Sequence, residues 1–104
     1  MNDDQMDELA NVLAPHFERE DSLFITTTNM CSWGEEYNFT EVGEGDEEIF
    51  ESIENLDKAG MREIEHQDPD KFVKFLNKTN VPIDGKNPMI VLLKVSNSIQ
   101  AYRY

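Results

Sequence analysis

Met89-Ile90-Val91-Leu92-Leu93-Lys94-Val95 is the most continuously apolar stretch of this 104-residue chain, and its reading decides the fold. With β-branched residues among its members and turn residues on both sides, it reads as a strand covered on both faces. Ser96-Asn97-Ser98 then reads as a short hairpin into a second strand over 99–104, where Tyr102 and Tyr104 alternate with their neighbours. On the other side, Asp84-Gly85 lies between Pro82 and Pro88, which is turn chemistry.

Towards the N-terminus, Asp68-Pro69-Asp70 is a helix start, with Asp68 as cap and Pro69 in the first turn. Phe72, Phe75 and Leu76 form its apolar face, and Lys71, Lys74 and Lys78 its outer one. A preceding helix, capped by Asp46, places Ile49, Ile53, Leu56, Gly60 and Ile64 inward; Gly60 ends it or weakens it. Leu23-Phe24-Ile25-Thr26-Thr27-Thr28 is β-branched and aromatic, and residues 36–42 repeat that character through Tyr37, Phe39 and Val42. These read as two antiparallel strands joined by a long loop that holds the only tryptophan, Trp33. Met6, Leu9, Ala10, Leu13 and Phe17 recur at helical spacing after Asp3 or Asp4 as cap, with a kink or a break expected after Leu13 because of Pro15.

The expected order is therefore α-β-β-α-α-β-β: an α+β fold with a mostly antiparallel four-stranded sheet and three helices. At this length the chain fits one acidic domain spanning 1–104.

Charge is unevenly spread. Residues 1–57 hold 17 acids and one base, Arg19, for −16; residues 58–104 hold 5 acids and 8 bases, for +3; the total is −13. Such a field repels nucleic acid and anionic membranes and attracts basic surfaces. The longest unbroken apolar run, Met89 to Leu93, is far short of the ~20 residues that span a bilayer. The acidic start Met1-Asn2-Asp3-Asp4 is unlike a secretory leader. A single cysteine, Cys31, suits a reducing compartment, so the expected location is cytoplasmic.

Equipment for catalysis is thin. Cys31, His16 and His66 show no His-x-x-x-His or Cys-x-x-Cys spacing, and no phosphate loop or nucleophile elbow is present. Asp68-Pro69-Asp70 and Asp84-Gly85-Lys86-Asn87 lack the spaced ligands of a calcium loop. The expectation is a protein that is not an enzyme, with no catalytic residue, metal or cofactor.

The feature with a possible mechanism is acidic. Glu44, Glu47, Glu48, Glu51 and Glu54 fall within eleven residues, whose ten helical steps span about 15 Å. Asp4, Asp7, Glu8, Glu35 and Glu36 add charge with no neighbouring base. A solvated helix face is the plain explanation. A carboxylate row spaced like phosphates, fitted to a basic groove, is the functional one. Trp33 is either an interface anchor or a core residue, and Tyr37 is a second candidate anchor. On this reading the chain is an inhibitor that blocks a basic, nucleic-acid-binding protein by DNA-like charge, of the kind phages and mobile elements encode against host defences. An immunity or antitoxin protein facing a cationic toxin, and an acidic accessory subunit, are the alternatives.

Overall fold

The computed structural model describes residues 1–43 and 45–99. Among them are four α-helices and one short 3-10 turn: α1 Asp3–Phe17, the turn Glu35–Tyr37, α2 Ile49–Glu65, α3 Pro69–Thr79 and α4 Lys86–Ser98. The four-stranded sheet does not form; the only β pairing among the described residues is a single antiparallel bridge between Gly34 and Phe39. The expected α+β class is thus replaced by a helical one.

The stretch that misled is Met89 to Val95, the middle of α4. α1 and α3 both pack on this helix, and Met89, Ile90, Val91, Leu93 and Val95 are all buried. A helix covered on several sides needs no polar stripe, so its sequence is as continuously apolar as that of a buried strand. Pro88 fits because it stands in the first turn, where its missing N–H costs no helical bond. Ser96-Asn97-Ser98 is the last turn of α4 rather than a hairpin, with Ser98 Oγ donating to the Val95 carbonyl at 2.8 Å. Ile99 is the helix C-cap, and the rest of the strand expected over 99–104 lies outside the described residues.

α1 is capped by Asn2 rather than by the expected Asp3 or Asp4. Asn2 Oδ1 accepts from the Gln5 amide at 2.8 Å while Gln5 Oε1 accepts from the Asn2 amide at 2.9 Å, a reciprocal capping box. No break occurs at Pro15, because the helix runs on to Phe17. Both Asn11, which would supply the lost carbonyl partner, and Pro15 are exposed, so water can serve the orphaned oxygen. α2 starts at Ile49 with Glu48 as N-cap, not Asp46, and passes through Gly60. Glycine is there because α3 comes close: a Cβ on Gly60 would meet Phe75 Cε2 at 3.2 Å and Met30 Cε at 3.3 Å. α3 begins as its sequence indicates, with Asp68 Oδ1 accepting from the Asp70 amide at 3.0 Å and Pro69 in the first turn.

The helices stack in the order α1, α4, α3, α2. One core lies between α1, α3 and α4 and is built on Met6, Ala10, Phe72, Ile90 and Val95. A second lies at the loops, where Phe39, Val81 and Ile83 are buried with Trp33, Met30 and Leu56 against them.

Candidate functional site

The expected acidic site divides between elements. Asp4, Asp7 and Glu8 lie exposed on α1. Glu47, Glu48, Glu51 and Glu54 belong to α2 or its approach, at the far end of the helix stack from α1. Glu35 and Glu36 are exposed on the 3-10 turn beside half-exposed Tyr37. Glu44 lies outside the described residues. Several of these carboxylates are already engaged. Asp7 and its neighbour Asp3 hold the Lys94 ammonium at 2.6 and 3.0 Å. Glu54 pairs with Lys58 at 3.0 Å, and Glu47 accepts from Asn55 Nδ2. Burial lowers the Lys94 pKa, but hydrogen bonds from its ammonium to Asp7 and Asp3, together with their charge, outweigh burial and hold the pKa above the ordinary lysine value. Trp33 is half-buried in the loop core, and its Nε1 donates to the Glu41 carbonyl at 2.9 Å.

Asp3, Asp4 and Asp7 place carboxylate oxygens close enough together to suit a metal ion. The Lys94 ammonium, however, already occupies two of the three. Cys31 sits against the loop core, while His16 and His66 are exposed at the ends of α1 and α2. Burial first, and then the charge of Asp57, push the Cys31 thiol up, the opposite of what a nucleophile needs. Asp57 Oδ1 instead accepts from the Cys31 amide at 2.9 Å, fixing the loop to α2.

A different region stands out. Residues 22–33 run without helix, turn or bend, and from 21 to 30 their exposure alternates residue by residue. Phe24, Thr26, Thr28 and Met30 face the helices; Leu23, Ile25, Thr27 and Asn29 face outward. That is the two-residue period of a strand. Yet among the described residues, 23–28 make no backbone-to-backbone hydrogen bond.

The segment is pinned at both ends. Phe24 packs edge-on to Phe17, with ring centroids 5.3 Å apart and planes at 84°. At the other end, Asp84 Oδ1 lies 3.0 Å from Thr28 Oγ1 and accepts from the Asn29 amide at 3.1 Å. The Gly85 amide donates to Thr28 Oγ1 at 2.9 Å, tying the segment to the start of α4. Ser32 N then donates to the Pro82 carbonyl at 2.9 Å. Between these anchors, Phe24 and Thr26 line a groove of about 260 Å³ shared with Leu13, Val91 and Leu92.

Sequence reading identified residues 23–28 as strand-like but supplied the wrong partner. Residues 36–42 fold back locally instead: Gly34 and Phe39 exchange backbone bonds of 2.7 and 3.2 Å around the 3-10 turn. The Asp84 anchor had no local signal, because its partners stand 55 and 56 residues away in the chain.

Comparison with known proteins gives the chain its relatives. Residues 1–104 match the family model described as Memo-like protein. Protein MEMO1 of Xenopus laevis is 34% identical over 100 residues, which are 96% of this chain and 34% of the relative. Protein MEMO1 of Homo sapiens is 31% identical over the same shares, and the memo-1 homolog of Caenorhabditis elegans 34% identical over 87 residues, 83% of this chain and 25% of its own. The chain therefore spans about a third of the length of the two MEMO1 relatives and a quarter of the Caenorhabditis elegans one. Matches to animal MEMO1 proteins overturn the expectation of a phage or mobile-element inhibitor mimicking DNA, and that of an immunity protein. The described carboxylates that suggested it are divided among α1, the 3-10 turn, and α2 with its approach.

Proposed function

This chain belongs to the Memo-like protein family, and from that premise we propose that it works as a non-catalytic unit that binds another polypeptide. The observation that carries the reading is the outward face of residues 23–28. Leu23 is 83% and Ile25 77% exposed, side by side on a backbone whose N–H and C=O groups have no backbone partner among the described residues. Single exposed apolar residues are ordinary. Two of them on one straight, pinned and unpaired segment are not. Burying a Leu or Ile side chain is worth roughly 1.5–3 kcal/mol, so the pair offers a partner about 3–6 kcal/mol before the cost of association.

The net charge of −13 favours a basic partner over nucleic acid or an anionic membrane. The raised pKa of Cys31 supports a non-catalytic role. Its free thiol suits a cytoplasmic location, and among the described residues no helix is long and apolar enough to cross a membrane.

The test is affinity capture from cells with the tagged chain and with the double variant Leu23→Lys, Ile25→Lys. Both side chains point to solvent, so the helical circular dichroism should not change. We expect the variant to lose the captured polypeptide at low salt, and the wild type to release it as salt rises. Equal capture by both proteins would contradict the reading.

A further inference from the structure

We infer that the lysine face of α3 is a second interaction surface, which docks an acidic helical segment of a partner polypeptide. This surface is independent of the outward face of residues 23–28.

Lys71, Lys74 and Lys78 are all exposed on α3. Their i, i+3, i+7 spacing sets them in one row about 10 Å long. Along the row runs an open cleft of about 380 Å³, lined also by Glu63 and His66 at the end of α2 and by half-buried Phe75.

The first observation is that these lysines are unpaired in a chain with 22 acids and 9 bases. Arg19, Lys58 and Lys94 each hold a carboxylate, at 2.8, 3.0 and 2.6 Å. No ammonium group of the α3 row does so among the described residues. Asp70 stands four residues before Lys74, the spacing of a helical ion pair, yet forms none. Glu63, the acid in the cleft, lies 3.9 Å from His66 Nδ1.

The second is that the row costs its own helix stability. Like charges at i,i+3 and i,i+4 repel. Lys71 stands in the first turn, where the helix dipole disfavours a cation; only Lys78, in the last turn, is favoured by it.

The third is complementarity, which selects the occupant. A helix lying antiparallel to α3 meets all three ammonium groups with carboxylates at i, i+4 and i+7, and its aliphatic stems can rest on Phe75. The row is short beside a molecule 49 Å long. A nucleic acid or a bilayer continues past it and meets the carboxylates that give residues 1–57 a charge of −16. A short acidic segment ends before them. Charges farther than ~8 Å are largely screened at physiological ionic strength, so a segment seated on the row responds to the lysines rather than to the net −13.

The probe is a fluorescent, terminally blocked helical peptide with glutamates at i, i+4 and i+7, titrated by anisotropy with the wild-type chain and with the triple variant Lys71→Gln, Lys74→Gln, Lys78→Gln. The three side chains are exposed, so circular dichroism should show the same helix content in both proteins. We expect the wild type to bind the peptide roughly tenfold or more tighter than the variant does, and the advantage to shrink as salt rises. A peptide with glutamine at the three positions should bind both proteins equally weakly. Equal binding of the glutamate peptide by wild type and variant, or binding by neither, overturns the inference. A single-stranded oligonucleotide or a phosphatidylserine vesicle that binds the wild type as tightly as the peptide, and loses that binding in the variant, would assign the row to phosphate groups and overturn it as well.

Discussion

Replacing Phe72 with alanine should destabilise the fold by about 3–5 kcal/mol, the largest effect of any single core truncation here. Phe72 lies on α3 with no exposed surface and belongs to the core that α1, α3 and α4 share. Its removal opens a cavity where three helices meet, and helices that hold one another by packing cannot close it without shifting together. A chain of this size has modest stability, ordinarily 5–15 kcal/mol for a domain, so the variant should approach half-unfolding at room temperature in little or no denaturant. Urea titration followed by helical circular dichroism measures it. Phe50→Ala is the control: this phenylalanine, on α2, is 68% exposed and should cost no more than about 0.5 kcal/mol. A similar loss for both variants would mean that the core is not where it is described.

The second large effect is expected from Gly85→Ala. Gly85 has an ordinary backbone conformation, φ −93°, so the objection to a side chain is space rather than strain. An added Cβ would stand 2.5 Å from Thr28 Oγ1 and 3.0 Å from the Thr27 carbonyl oxygen. The carbonyl is backbone and cannot swing aside, so residues 27–28 must lift away from α4 and the Gly85–Thr28 hydrogen bond is lost with them. Overpacking of this kind costs about 1–3 kcal/mol. The more telling consequence is local, because the segment loses the anchor that keeps it straight. Binding of the partner should weaken in the same variant although neither Leu23 nor Ile25 is altered. Gly43→Ala makes the comparison: there the Cβ meets only the carboxylate end of Glu47, which can rotate away, and little change is expected.

What could be read in the sequence was what depends on neighbours. The start of α3 was legible because Asp68 and Pro69 act on amides two and three residues away. The inward face of α2 was legible because Ile53, Leu56 and Ile64 repeat at helical spacing. α4 was not, since a segment buried on several sides loses the polar stripe that tells a helix from a strand. The polar residues at its two ends, Lys86-Asn87 and Asn97-Ser98, looked like turns rather than helix. The acidic surplus was plain, but which carboxylates share a surface is set by the stacking order of the helices, and the capture of Asp3 and Asp7 by Lys94 joins residues about ninety apart. Residues 23–28 show the same limit from the other side. Their alternation is local, whereas the absence of an intrachain partner is a property of the whole fold.

Amide hydrogen exchange on the isolated chain tests the central claim most directly, because it reads whether the backbone of residues 24–28 is unpaired. The account requires these amides to exchange close to the rate of an open chain while those of Val91 to Val95, in the middle of α4, exchange only on global unfolding. Protection of residues 24–28 comparable to that of α4, in a monomer, would mean that the segment already has its strand partner within this chain, and the account would be wrong.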